Sequence, residues 1–97
     1  MLGRLYIVTH QGVAVTIETE VTRILESVLN LHGRSAEFRR NSPLLGALPE
    51  LDSMAVLNII TALEERFAFI IEDDEMDSTV FSTLGTLTDF VAAKLAF

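Results

Sequence analysis

Between Ser53 and Phe67 the apolar residues return at helical intervals. Val56, Ile59, Ile60, Leu63 and Phe67 fill a limited arc when successive residues are turned by about 100°. Such a stripe must bury itself against another packed layer. A sheet is a poor candidate for that layer. The β-prone residues Tyr6, Ile7, Val8, Val13 and Val15 cluster at the start, and nothing after them supplies a partner strand. Residues 1–15 are therefore expected to be a loose amino-terminal arm, ahead of a domain over 16–97. Helical partners are present instead. From Thr16 to about Leu31, Val21, Ile24, Leu25 and Val28 form one stripe, which His32-Gly33 should end. Thr83 reads as the cap of a last helix with Leu84, Leu87, Val91 and Leu95 on one face, and 78–82 fit one short helical turn.

Residues 33–51 read as a long loop, with turn signals at Gly33, Ser35, Asn41-Ser42-Pro43, Gly46 and Pro49. Its Leu44, Leu45, Leu48 and Leu51 are expected to tuck over the bundle. The expected fold is all-α: a bundle of three main helices plus one short helix, with a long loop after the first helix. At 97 residues this is one domain.

Composition narrows the function. The chain has no cysteine, hence no disulfide, no thiolate metal site and no cysteine nucleophile. That suits a reducing compartment, and a cytoplasmic location is expected. Net charge is -7, and it is unevenly placed. Residues 1–49 hold five Arg against four acids; residues 50–97 hold ten acids against Arg66 and Lys94. Nucleic acid and anionic membrane surfaces would be repelled, whereas a basic protein surface would be attracted. No apolar run reaches the roughly 20 residues that span a bilayer, and the start lacks the cleavage site of a signal peptide. The acidic run Glu72–Asp77 is not an EF-hand: counting from Asp73, the sixth and twelfth positions are Ser78 and Leu84, not Gly and Glu. His10 and His32 have no companions at ligand or catalytic spacing. Neither a metal site nor a set of catalytic residues is expected, so the chain does not read as an enzyme.

The informative stretch is Glu50-Leu51-Asp52-Ser53-Met54-Ala55-Val56-Leu57. Asp52 sits where a helix cap belongs. The Ser53 hydroxyl then stands at the positive end of the helix dipole, where free N–H groups favour a phosphate ester. Asp52 could cap the helix or help hold a metal while such an ester forms. Met54 and Leu57 fall on the same side as Ser53, off the core stripe, together with Thr61, Glu64 and Glu65.

Three blocks in order resemble the acyl carrier protein family: Leu45-Gly46, Leu51-Asp52-Ser53-Met54, and Ala62-Leu63-Glu64-Glu65-Arg66-Phe67. The tail from Phe81 to Val91 is similar to that family's last helix, so the resemblance covers roughly 17–96. It implies that Ser53 receives 4′-phosphopantetheine from coenzyme A, delivered by a separate Mg²⁺-dependent phosphopantetheinyl transferase, with Asp52 as the adjacent motif residue. The arm's thiol would hold an acyl group as a thioester, supplying the sulfur this chain lacks. The second helix would be the partner surface, through Met54, Leu57, Asn58, Thr61, Glu64 and Glu65. Its partners would be acyl-loading and acyl-transferring enzymes with basic surfaces, meeting a monomer. Met54 stands in place of the usual Leu, and Ala55 and Asn58 stand where fatty-acid-synthesis carriers often place acids. The Leu-Asp-Ser-Met-Ala-Val wording looks like specialised carriers of exopolysaccharide and exosortase-type systems. Two alternatives stay open: a peptidyl carrier holding an aminoacyl group on the same arm, and an unmodified helical adaptor that binds protein through Met54 and Leu57.

Overall fold

The computed structural model describes residues 6–8 and 14–95. His10 and much of the expected arm lie outside them. The described part of the arm is not a lone strand. β1 (Tyr6–Val8) pairs antiparallel with β2 (Ala14–Thr16), in the register Tyr6↔Thr16. The partner thus comes from the same short segment, and the hairpin runs straight into the first helix.

That helix, α1 (Ile17–Leu29), starts where Thr16 turns from strand to cap, its Oγ1 accepting from the Thr19 N–H at 3.0 Å. Ile17, Val21, Ile24, Leu25 and Leu29 are buried, and Val28 is half-buried. The helix stops two residues before the expected Leu31. Asn30 takes the left-handed C-cap conformation, and His32 and Gly33 also have positive φ. Glu26 then shapes the exit, accepting from the Gly33 N–H at 3.1 Å and the Ser35 hydroxyl at 2.7 Å.

The loop that follows contains one 3-10 turn, Arg34–Glu37, and is sewn to the far end of the chain. The Leu44 and Leu45 N–H groups donate to the Ser82 and Phe81 carbonyls, and the Leu84 and Gly85 N–H groups donate back to Ser42 and Arg40. These bonds satisfy two of the orphan donors that begin α3 (Leu84–Leu95). A Cβ at Gly85 would lie 2.8 Å from the Arg40 carbonyl oxygen, so glycine is required for this approach. Leu44 and Leu51 are buried and Leu48 half-buried, as expected. Leu45 is not: it heads the turn that folds Ala47 and Leu48 back onto the Leu44 carbonyl, and its side chain is exposed.

α2 spans Ser53–Phe67, the expected range, and closes on Ala68 in the left-handed conformation. Its core face is rotated from the expected one. Ala55, Ile59, Leu63 and Phe67 are buried, whereas Val56 and Ile60 are only half-buried. The seam follows an i, i+4 row through the small Ala55, which sits at 9% exposure at the start of the helix. After α2 come two 3-10 turns, Asp73–Glu75 and Ser78–Phe81, the second being the expected short helix. Thr83 and Thr86 cap α3 reciprocally, each backbone N–H donating to the other's hydroxyl. Leu84, Leu87 and Val91 are buried and Leu95 half-buried. The architecture is an all-α bundle in which α1 packs on both α2 and α3.

Candidate functional site

The start of α2 is built by the loop before it. Arg34, just past α1, forms an ion pair with Glu50, drawing the two ends of the long loop together. Leu51 then buries its side chain, which anchors the chain next to the helix. Asp52 is the N-cap: its Oδ1 accepts from the Ala55 N–H at 2.8 Å. Because Asp52 caps, the Ser53 side chain is not needed for that purpose, and it is exposed at the first helical position.

The remaining predicted residues divide into two groups. Met54, Leu57, Asn58 and Thr61 are exposed along the helix from Ser53, with Met54 at 64% and Leu57 at 57%. The Thr61 hydroxyl donates to the Leu57 carbonyl, so it is satisfied within its own helix. Glu65 is exposed a turn further on. Glu64 is not free. Its Oε2 accepts from the Ile71 N–H at 2.8 Å, which folds the chain after α2 back onto the helix. This engagement was invisible in the pattern, because it depends on a turn at the left-handed Ala68.

Ala55 does not belong to this surface. It was expected at a position where related carriers place acids, and it is packed into the core instead. Pattern reading also missed Glu20, a buried carboxylate on α1. Its Oε1 accepts from Arg66 Nε at 2.7 Å, pinning the end of α2 to α1. Another exposed apolar side chain, Ile70, carries no mark in the pattern either.

The site is thus an exposed hydroxyl at the positive end of a helix, where a phosphate ester is favoured. A solution NMR structure of a holo acyl carrier protein from Nitrosomonas europaea is similar to this chain, with 52% sequence identity and a TM-score of 0.77, over 84% of this chain and 96% of that one. No family model matches the chain, and no curated protein does. At that identity and coverage, the chain belongs to the acyl carrier protein family. It is a carrier and not an enzyme. The holo form of such a protein bears a covalent 4′-phosphopantetheine. Among the described residues, no helix is long and apolar enough to cross a membrane.

Proposed function

We propose that Ser53 is the attachment point of 4′-phosphopantetheine, and that residues 16–97 form a domain that carries acyl groups as thioesters on that arm. The observation behind this reading is an exposed serine at the first turn of α2, directly after its cap, in a chain 52% identical to a holo acyl carrier protein. The residues fit the group. The Ser53 and Met54 N–H groups have no acceptor within the helix. They add to the dipole in favouring a phosphodiester anion. An exposed side chain leaves the arm free to move, and the arm brings the thiol that a chain without cysteine cannot offer.

A phosphopantetheinyl transferase would make the bond. The Ser53 oxygen bonds to the phosphorus nearest the pantetheine, its proton leaves, and the pyrophosphate link to the nucleotide half of coenzyme A breaks. Asp52 keeps the helix start in place through Ala55. Acyl-loading and acyl-transferring enzymes would then visit the loaded arm in turn.

Intact mass after co-expression with a broad-specificity transferase tests the assignment. The expected result is one phosphopantetheine increment on the unaltered chain and none on Ser53→Ala. The variant should still fold, losing less than about 1 kcal/mol, because Asp52 and not Ser53 supplies the cap. An increment that persists in Ser53→Ala refutes the assignment.

A further inference from the structure

We propose that Lys94 is a latent acyl acceptor, which takes an acyl group from a thioester as a stable amide, and that Glu75 restrains it. The proposal rests on the reading of this chain as a carrier of acyl thioesters, for which such a transfer is a loss of cargo.

A protein that holds thioesters lives beside an electrophile, and the strong nucleophiles of this chain are few. It has no cysteine, and Lys94 is its single lysine. The other cations are arginines, whose guanidinium groups do not give up a proton. Lys94 is the next-to-last residue of α3 and borders a recess of about 430 Å³, lined also by Glu75, Phe90 and Ala93. Phe90 and Ala93 give the recess apolar walls, so a short aliphatic acyl group can lie beside the lysine nitrogen. That nitrogen is held against the protein. Its Nζ donates to both Glu75 carboxylate oxygens, at 2.6 and 2.8 Å, and stands 5.7 Å from the centre of the Phe69 ring. Glu75 is in turn fixed on its own 3-10 turn, where its side chain and that of Glu72 cap each other's backbone N–H.

The transfer balances without a further reagent. The Lys94 ammonium gives up a proton, and the freed nitrogen lone pair attacks the thioester carbonyl. The carbon–nitrogen bond forms, the carbon–sulfur bond breaks, and the departing thiolate takes up the proton. The products are an amide and a free thiol, with nothing oxidised or reduced. An ammonium clasped by Glu75 has no lone pair to offer, and its N–H donors point at the carboxylate. To react, it must leave that ion pair and turn from Phe69 into the recess. The clasp therefore adds the worth of the pair to the barrier, and removing the Glu75 charge takes that addition away.

The test uses the full chain in its unmodified form, with acetyl coenzyme A as the thioester. Intact mass and peptide mapping are read after hydroxylamine, which cleaves thioesters and leaves amides. An amide-bound acetyl group should build up slowly at Lys94 of the unaltered chain, and Lys94→Arg should lack it. Glu75→Gln should speed acetylation at Lys94 about fivefold, the rate equivalent of a partly exposed ion pair. Glu75→Asp, which keeps the charge on a shorter reach, should fall between the two and carries the test if Glu75→Gln melts without cooperativity. Glu65→Gln removes the same charge from the exposed face of α2 and should change the rate less than about twofold. A rate at Lys94 that neither Glu75 variant raises overturns the proposal. So does a rate that Glu65→Gln raises equally, or acetylation that is missing from Lys94 in every variant. Because acetyl coenzyme A supplies the thioester, none of these results needs an arm at Ser53. A missing phosphopantetheine increment would refute the attachment and leave the Lys94 result standing.

Discussion

The two ends of α2 differ in what their side chains are committed to. At the end that begins with Ser53, the exposed residues make no ties to the rest of the protein beyond the helix's own cap and the Thr61 bond. At the other end nearly every group is engaged. Glu64 holds Ile71, Arg66 reaches Glu20 on α1 and lies 5.7 Å over the Phe67 ring, and Phe67 stacks on Phe69 at 5.8 Å. One helix thus separates two tasks. Its far end secures the helix to the bundle, so its near end is left open, as the proposed attachment at Ser53 requires. Changes at the far end should cost stability, and changes at the near end should cost binding.

The sharpest break of that contrast is Phe67→Ala set against Met54→Ala. Phe67 is buried, and its truncation should cost about 3–5 kcal/mol. Met54→Ala should cost less than about 0.5 kcal/mol, because its side chain is exposed. Urea denaturation of both variants measures the difference, and equal losses would show that the two ends are not distinct. Ala55→Asp probes the border between them. It would place a carboxylate in the core beside Ile59, and a loss of about 2–4 kcal/mol is expected. An unchanged melting curve would mean that Ala55 faces outward and that the seam has been misplaced.

Arg66→Ala tests the pin itself. It leaves the buried Glu20 facing only Arg23, whose Nη1 is 3.5 Å from the carboxylate. The expected loss is about 2 kcal/mol, below the range for a fully buried pair because the Arg66 side chain is 31% exposed. A loss within the error of the melts would demote Arg66 to surface decoration.

The smallest expected effect is on pH dependence. Lys94 donates to the Glu75 carboxylate and holds it below the usual glutamate range, aided by the Glu72 backbone N–H. The Ser35 hydroxyl does the same for Glu26, aided by the Gly33 N–H. A carboxyl lowered in the folded state contributes stability above its unfolded pKa. That contribution fades as pH falls through the lowered native value. Glu75→Gln and Glu26→Gln should therefore flatten the acid limb of Tm against pH and leave its shape near neutrality unchanged. An acid limb as steep as the unaltered chain's would show that these ties do not act on stability.

Much of this was legible in the chain because the signals are local. Asp52 and the apolar run after it mark α2 from Ser53 to Phe67 without reference to any other element. The Thr83 cap and the Leu84–Leu87–Val91 row do the same for α3. The order Leu-Asp-Ser-Met, then Ala-Leu-Glu-Glu-x-Phe, points to the family. The failures have a common origin in contacts between residues far apart, or in choices among near-equal local options. Val56 and Ala55 are both acceptable on a helix's apolar side. Only the packing of α2 against α1 and the rest of the core puts Ala55 among the buried residues and leaves Val56 at their flank. β1 reads as a strand without a partner because Val13 and Val15 fall in the same β-prone segment, and a hairpin is settled by register and not by propensity.

What the sequence determined by itself is therefore the helical class, the bounds of α2, and a serine at its positive end, since caps and periodicity act within a few residues. What only the tertiary structure decided is which groups remain available. Glu64 reads as a surface acid until the turn at Ala68 brings the Ile71 N–H to it, and Glu20 reads as solvated until α2 covers it with Arg66. A side chain's charge is written in the sequence. Whether it faces a partner or is already satisfied depends on what the fold places within hydrogen-bond reach.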